Sequence, residues 1–122
     1  MNIRFTTDAA SQLDMIRFTR HPQTGFVVGD RIGTYMIVKL LVPAPLDSTS
    51  LHRHYSRGLE LYGPALMGAF FIGCEPFFDD WFAEDLVIVA DDNRLDYFIC
   101  EAGAAGLRME RIVDREEKEK NG

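Results

Sequence analysis

Apolar residues near the N-terminus recur first at strand spacing and then at helix spacing. Residues 2–6 predict a short strand. Thr7 and Asp8 favour the start of a helix, because a threonine can cap the first turn and an acid stabilises the positive end of the helix dipole. Apolar residues at helical spacing continue to Arg20. The helix must end there, because Pro22 disfavours helical conformation in the residue before it.

The middle of the chain predicts a hairpin followed by a second helix. Residues 25–29 and 33–43 are two apolar runs, and residues 30–32 between them predict the hairpin turn. The second run is apolar on both faces except at Lys39, which places it centrally in a sheet. Residues 52–63 predict a short helix.

The second half of the chain is rich in strands, which are predicted at residues 65–73, 85–91, 95–101 and 107–114. The first of these is apolar throughout and is expected inside the sheet, whereas the last alternates as an edge strand does. We therefore predict an α/β (α+β) fold: one mostly antiparallel sheet of about six strands, a long N-terminal helix and a short second helix. A single domain is expected over residues 1–114, followed by a charged, disordered tail at 115–122.

Composition narrows the range of functions. The chain has 122 residues and a formal net charge of −6, which argues against nucleic-acid binding because phosphate recognition needs clustered lysine and arginine. No apolar run is long enough to span a bilayer, and no signal peptide is visible, so we expect no membrane contact and a cytoplasmic setting. Cys74 and Cys100 lack metal-binding or redox spacing and are expected to be reduced.

The predicted strand order and the stretch TGFVVGDRIGTYMIVKLLVPAP resemble the JAB/MPN domain. Gly25 and Gly29 flank the first strand of the hairpin, and Gly68 corresponds to a glycine that precedes the metal site in that family. The resemblance extends over residues 2–101. It implies a JAB/MPN-like fold and, for active members, hydrolysis of peptide or isopeptide bonds at a zinc ion.

The zinc site of active members, called the JAMM motif, is changed in this sequence. Two histidines and an aspartate hold the zinc, which lowers the pKa of a bound water to about 7, while a glutamate exchanges the proton and a serine assists. The resemblance places the histidine positions on Phe71 and Gly73, the serine position on Trp81, the aspartate position on Glu84 or Asp85, and the glutamate position near Gln23.

Neither phenylalanine nor glycine can bind zinc, so the resemblance implies a degenerate site without a cofactor. If the site is a remnant, Phe71 and Gly73 should end a strand that faces the N-terminal helix, with Gln23 nearby. A small ligand bound in the space that zinc has left, beside Phe71, Trp81 and Cys74, is a further alternative.

The segment that follows Cys74 combines aromatic and acidic residues. Interface hot spots favour buried aromatic anchors, so this segment is a candidate interface for a protein partner or a second copy of the chain, through Phe77, Phe78, Trp81 and Phe82. The acids of the segment are expected to face water. They should also raise the pKa of Cys74, which is therefore expected to be a small packed side chain and not a nucleophile.

One alternative is enzymatic. His52 and His54 are the only closely spaced histidines, and with Asp47, Glu60 or a loop acid from another segment they could form a rebuilt metal site. Such a site would make the chain a metal-dependent peptidase or isopeptidase that acts on a protein or a ubiquitin-like tail. Residues two positions apart on a helix do not share a face, which weakens this hypothesis. The preferred prediction is a non-catalytic JAB/MPN-like interaction or homodimerisation module.

Overall fold

Seven strands and two α-helices make up the part of the chain that the computed structural model describes. These are residues 2–19, 21–47, 49–76, 85–103 and 106–112, with side chains described as far as residue 99. In chain order the elements are β1 (Asn2–Phe5), α1 (Thr7–Phe18), β2 (Gln23–Ile32), β3 (Tyr35–Pro43), α2 (Leu51–Tyr62), a 3-10 turn (Gly63–Ala65), β4 (Leu66–Ile72), β5 (Leu86–Ala90), β6 (Leu95–Gly103) and β7 (Gly106–Ile112).

The strands form one mixed sheet in the order β1-β3-β2-β4-β5-β6-β7. The pairs β1–β3 and β4–β5 are parallel, and the other four neighbouring pairs are antiparallel. The α+β class, the mostly antiparallel sheet and the two helices are therefore confirmed, with seven strands where about six were predicted. Strand β7 lies at one edge of the sheet, as its alternating pattern predicted.

Helix α1 begins one residue earlier than its sequence pattern predicted. The hydroxyl of Thr6 accepts a hydrogen bond from the backbone N–H of Ala9 (3.2 Å), so Thr6, and not Thr7, caps the first turn. Ala9 and Leu13 are the buried residues of the helix, which packs against the sheet. The helix ends at Phe18 and does not reach Arg20.

The turn between β2 and β3 was predicted at residues 30–32, and this prediction is wrong. Ile32 lies opposite Tyr35 in the strand register, so the turn consists of Gly33 and Thr34. Gly33 has a positive φ of 58°, a conformation that glycine adopts without a steric penalty. Strand β2 consequently continues through residues 30–32, and β3 begins two residues later than predicted, at Tyr35.

Helix α2 is as long as α1, at twelve residues each, so the predicted difference in their lengths is wrong. Leu51, Tyr55 and Gly58 are its buried residues and recur at the spacing of one helical face. A Cβ at Gly58 would lie 3.1 Å from the ring of Phe26, so the absence of a side chain lets α2 approach the sheet closely.

The core has two parts, one on each face of the sheet. Helix α1 covers one face with Ala9 and Leu13, and α2 covers the other with Leu51 and Tyr55. Strands β4 and β5 are buried along their whole length on both faces. This confirms that β4 is an interior strand, as its continuous apolar sequence predicted.

Strand β3 has neighbours on both sides but is only second from the edge of the sheet. Tyr35, Lys39 and Leu40 are exposed, so β3 is less central than its apolar sequence predicted. In the described part of the chain, no helix has the length and apolar character needed to cross a bilayer.

Candidate functional site

The carboxyl end of β4 brings together three of the residues to which the family resemblance assigned a metal-site position. Gln23 opens β2 and lies opposite Ile72 in the register, and Gly73 follows directly after Ile72. The backbone N–H of Gly73 donates to the carbonyl oxygen of Ala90 at the end of β5 (2.8 Å). Phe71 directly precedes Ile72 in β4, so Gln23, Phe71 and Gly73 lie at the same end of the strands.

Phe71 occupies the first histidine position in this resemblance, and its ring belongs to the core. Its side chain is 1% exposed and packs in the cluster that α2 covers. Strand β4 faces α1 through Phe70 and Ile72, whereas the ring of Phe71 points to the opposite face of the sheet. A metal ligand at position 71 would lie inside the apolar α2-side core.

The glycine that supported the resemblance, Gly68, has a packing explanation. A Cβ at this position would lie 1.7 Å from the carbonyl oxygen of Leu86 on β5, so β4 and β5 approach too closely for any side chain. The need for glycine at this position is thus independent of any metal site.

Asp85, one of the two aspartate positions, lies at the other end of the strands. Because β4 and β5 are parallel and Ile72 lies opposite Ala90, Gly73 is level with Asp91, and Asp85 precedes that level by six residues. At ~3.3 Å per residue this is a separation of about 20 Å along the strand. Asp85 therefore lies at the opposite end of the strands from Gln23 and Gly73.

Asp85 instead forms a hydrogen-bonded network that sequence reasoning did not find. The hydroxyl of Tyr55 on α2 donates to Asp85 Oδ2, and Arg31 on β2 forms an ion pair with Asp85 Oδ1 at 2.9 Å. Only 14% of the Asp85 side chain is exposed. The carboxylate thus links α2 and β2 at the start of β5, and the expectation that every acid of this segment faces water is wrong for Asp85.

Trp81 and Glu84, the other metal-site positions, lie outside the described residues. The same is true of the candidate interface of Phe77, Phe78, Trp81 and Phe82. In the sequence these residues connect the carboxyl end of β4 to the amino end of β5. Their assignment as remnant or interface stays a prediction.

A cleft of about 450 Å³ opens beside Gly73. Its walls come from the end of α1, the approach to β2, the end of β4 and the turn after β5, through Arg17, Phe18, Thr19, His21, Pro22, Ile72, Gly73, Asp91 and Asp92. A neighbouring cleft of about 390 Å³ shares Gly73 and Asp91 with it. Crevices at the carboxyl ends of parallel strands are common ligand sites in α/β proteins.

Arg17 and Asp91 fix the shape of the first cleft. Arg17 Nε donates to the carbonyl oxygen of Asp91 (3.0 Å), which ties the last turn of α1 to the turn between β5 and β6. Asp91 Oδ1 accepts the backbone N–H groups of Asn93 (2.7 Å) and Arg94 (2.9 Å). These two hydrogen bonds, of which the one from Asn93 has the larger effect, hold the pKa of Asp91 below its ordinary value. Both charged groups thus have structural partners.

Cys74 lies next to these clefts as a free, half-buried thiol. Its Sγ lies 4.0 Å from the carbonyl oxygen of Gln23. Burial raises the pKa of the Cys74 thiol, and the negative charge of Glu75 adds to the effect. The prediction of a raised pKa is confirmed, with burial as the main cause. The side chain therefore stays protonated at neutral pH and is a poor nucleophile.

His52 and His54 lie in the first turn of α2, where His52 is exposed and His54 is half-buried. Asp47, a proposed third ligand, is already engaged: Oδ1 accepts the backbone N–H groups of Thr49 (2.9 Å) and Ser50 (2.8 Å), which precede the helix. Within the described residues, no group of three or more histidine, cysteine, aspartate or glutamate side chains is arranged to hold a metal ion.

These observations define the described part of the chain as an α+β domain with one sheet, two α-helices and an open crevice at the carboxyl ends of β4 and β5. No protein-family model matches the sequence, and no curated protein matches it. The fold is similar to the solution structure of the protein DSY2949 from Desulfitobacterium hafniense. That comparison gives a TM-score of 0.54 and 16% sequence identity, and it covers 91% of each chain. At this identity the similarity concerns the fold alone.

Proposed function

We propose that the chain is a non-catalytic, JAB/MPN-like module that binds a protein partner or a second copy of itself. The observation that carries this proposal is the position of Phe71. Where the resemblance calls for the first zinc-binding imidazole, this chain has a phenyl ring that is 1% exposed inside the α2-side core. The second imidazole position, Gly73, has no side chain at all.

The acid–base groups of the described residues support the same proposal. Catalytic acids and bases usually depend on burial to shift their pKa values towards neutrality. No charged side chain in the described part of the chain is fully buried, and the mostly buried Asp85 is already bound by Tyr55 and Arg31. Gln23, at the position of the family's glutamate, cannot exchange a proton at neutral pH. Hydrolysis at this end of the strands would therefore lack the general base that the family uses.

The candidate interface is the aromatic–acidic segment, residues 77–84. Its four aromatic residues have the composition of interface anchors, and its acids favour a partner with a basic surface. We place this binding in the cytoplasm, in agreement with the prediction of reduced cysteines.

The experiment is a quantitative capture of proteins from a cell extract, comparing the wild-type chain with a Phe78→Ala/Trp81→Ala variant. The proposal predicts that the variant keeps its fold and loses captured partners that the wild type retains at equal loading. A Met15→Ala variant is the matched control, because Met15 is a highly exposed apolar residue of α1, at 72%. If the folded double variant captures the same partners in the same amounts, the segment is not the interface.

A further inference from the structure

Helix α2 leaves part of its face of the sheet uncovered, where β3 and the end of β2 cross it. Ile32, Tyr35 and Leu40 are 57%, 39% and 40% exposed there, and Ile37 is half-buried. Leu40 belongs to this face because its register partner, Val28, packs in the α2-side core. We call Ile32, Tyr35, Ile37 and Leu40 the open sheet face.

The strand register places these side chains together. Met36 and Val38 point into the α1-side core, so the alternate residues Tyr35 and Ile37 point to the opposite face. Ile32 lies opposite Tyr35 on the neighbouring strand, and opposed residues of an antiparallel pair share a face. The solvent-facing positions of such a strand are normally polar. An apolar pair at Tyr35 and Ile37 is therefore unusual for a solvated sheet.

The charges around the open sheet face differ from those of the whole chain. The Arg4 guanidinium lies 5.6 Å from the centre of the Tyr35 ring, and Lys39 forms an ion pair with Asp30. Two cations and one anion thus border this face, whereas the chain as a whole carries a formal charge of −6. A second acidic copy would meet less repulsion here than over the rest of the surface.

We propose that two copies of the chain pack their open sheet faces against each other around a two-fold axis. A two-fold contact uses the same patch on both copies, so it requires a patch that is complementary to itself. This patch has an apolar centre, and it carries both signs of charge at its border, where Lys39 of one copy can approach Asp30 of the other. Sheets pack face to face at a spacing of ~10 Å, as in β-sandwiches.

This dimer goes beyond the proposed function, because it uses no residue of the aromatic–acidic segment. The open sheet face also differs in kind from the other exposed apolar residues. Met15 is more exposed, at 72%, but it lies on α1, which covers the opposite face of the sheet. Isolated apolar residues are normal on protein surfaces, whereas a contiguous apolar patch marks a contact site.

The test is sedimentation velocity over a hundredfold range of protein concentration. The wild type should show a concentration-dependent equilibrium between monomer and dimer. A Tyr35→Ser/Ile37→Ser variant should weaken the dimer by about tenfold or more, because it removes the central apolar contacts. A Met15→Ser variant is the control and should dimerise as the wild type does, because Met15 lies on α1 at the opposite face of the sheet. A wild type that stays monomeric at every concentration overturns the proposal, as does a sheet-face variant that dimerises equally well.

Two variants with altered charges test the same contact if the serine variant fails to fold. Lys39→Glu places like charges on both sides of the contact and should weaken the dimer. Adding Asp30→Lys to that variant restores opposite charges both within and between the copies, so dimerisation should recover. If Lys39→Glu leaves the dimer unchanged, or if the double exchange does not restore it, the two copies do not meet through this face.

Discussion

The two ends of the parallel strands β4 and β5 have opposite characters. At the carboxyl end, Gly73 and Glu75 are exposed and open clefts border the backbone. At the amino end, Asp85 is mostly buried and its carboxylate binds Tyr55 and Arg31. Both ends belong to the same acidic stretch of sequence, yet Glu75 is a surface acid and Asp85 is a structural one.

The difference follows from what each end must connect. The start of β5 lies where α2 and β2 converge, and a carboxylate there can stay in place only if donors replace the water that it loses. Tyr55 and Arg31 supply those donors. At the carboxyl end Glu75 stays exposed to water, while Arg17 of α1 and Asp91 bond to each other across the cleft. A stretch of acids in a sequence therefore does not define one functional site.

The largest expected effect concerns Phe71, whose ring fills the core beneath the carboxyl end. Phe71→Ala should lower the free energy of unfolding by about 3–5 kcal/mol, because it removes a buried aromatic side chain and leaves a cavity. Urea denaturation measures this loss. Cys74→Ala, three residues along and half-buried, is the control and should cost much less. A Phe71→Ala loss as small as that of the control would show that the ring is not part of the core.

The next effect concerns the amino end. Asp85→Asn keeps the shape of the side chain but removes the charge that pairs with Arg31, and should cost about 1–3 kcal/mol. The lower part of this range is expected because the Arg31 side chain is 42% exposed and partly screened by water. Glu75→Gln at the carboxyl end is the matched control and should change stability by less than ~0.5 kcal/mol. Equal effects of the two substitutions would remove the distinction between the ends.

A double-mutant cycle sharpens this result. Tyr55→Phe removes only the hydroxyl that donates to Asp85, so it should cost about 1 kcal/mol on its own. Combined with Asp85→Asn, its cost should fall, because the two residues share one network. Strictly additive losses in urea denaturation would contradict a direct Tyr55–Asp85 interaction.

A smaller, pH-dependent effect is expected at Asp47, which supports the start of α2. Hydrogen bonds from Thr49 and Ser50 lower the pKa of Asp47 from 3.8 to about 2. A lowered pKa in the folded state stabilises the protein fully above the unfolded value, and this stabilisation is lost as the pH falls from about 4 towards about 2. As the pH falls through this range, the midpoint temperature of thermal unfolding should therefore decline less steeply for Asp47→Asn than for the wild type. Parallel curves would show that the hydrogen bonds to Asp47 add no stability.

The smallest effect is chemical and concerns Cys74. Because burial raises the pKa of its thiol, Cys74 should react with a disulfide reagent more slowly at neutral pH than an unstructured thiol does. The measurement is made in a Cys100→Ser background, so that only one thiol reports. A reaction as fast as that of the unfolded chain would contradict the packed position of Cys74.

Much of the fold was predictable because its signals are local. The continuous apolar run around Phe70 predicted an interior strand, and the spacing of Leu13 predicted the buried face of α1. The hairpin turn was misplaced because residues 30–32 resemble a turn in composition, whereas Gly33 has the positive φ that the turn requires. The local sequence pattern also could not show that residues 35–40 of β3 would stay uncovered on one face, because that depends on where α2 packs.

The candidate site was less predictable, because it depends on contacts between distant residues. Gln23 and Gly73 were expected to lie near each other, and the register of β2 with β4 places them at the same end of the two strands. The role of Asp85 was missed, since its partners Tyr55 and Arg31 are 30 and 54 residues away in the chain. The only sequence signal for that network was a carboxylate directly before an apolar strand.

The most direct test of the central claim, that the carboxyl end of β4 has no catalytic metal, is a zinc stoichiometry. The chain is stripped with a chelator, incubated with zinc, desalted and analysed for bound metal alongside a His52→Ala/His54→Ala variant. We expect no stoichiometric zinc in either protein, because Phe71 and Gly73 offer no ligands and the described residues supply no third ligand to the two histidines. One zinc per chain in the wild type would contradict it, and loss of that zinc in the variant would establish the rebuilt site.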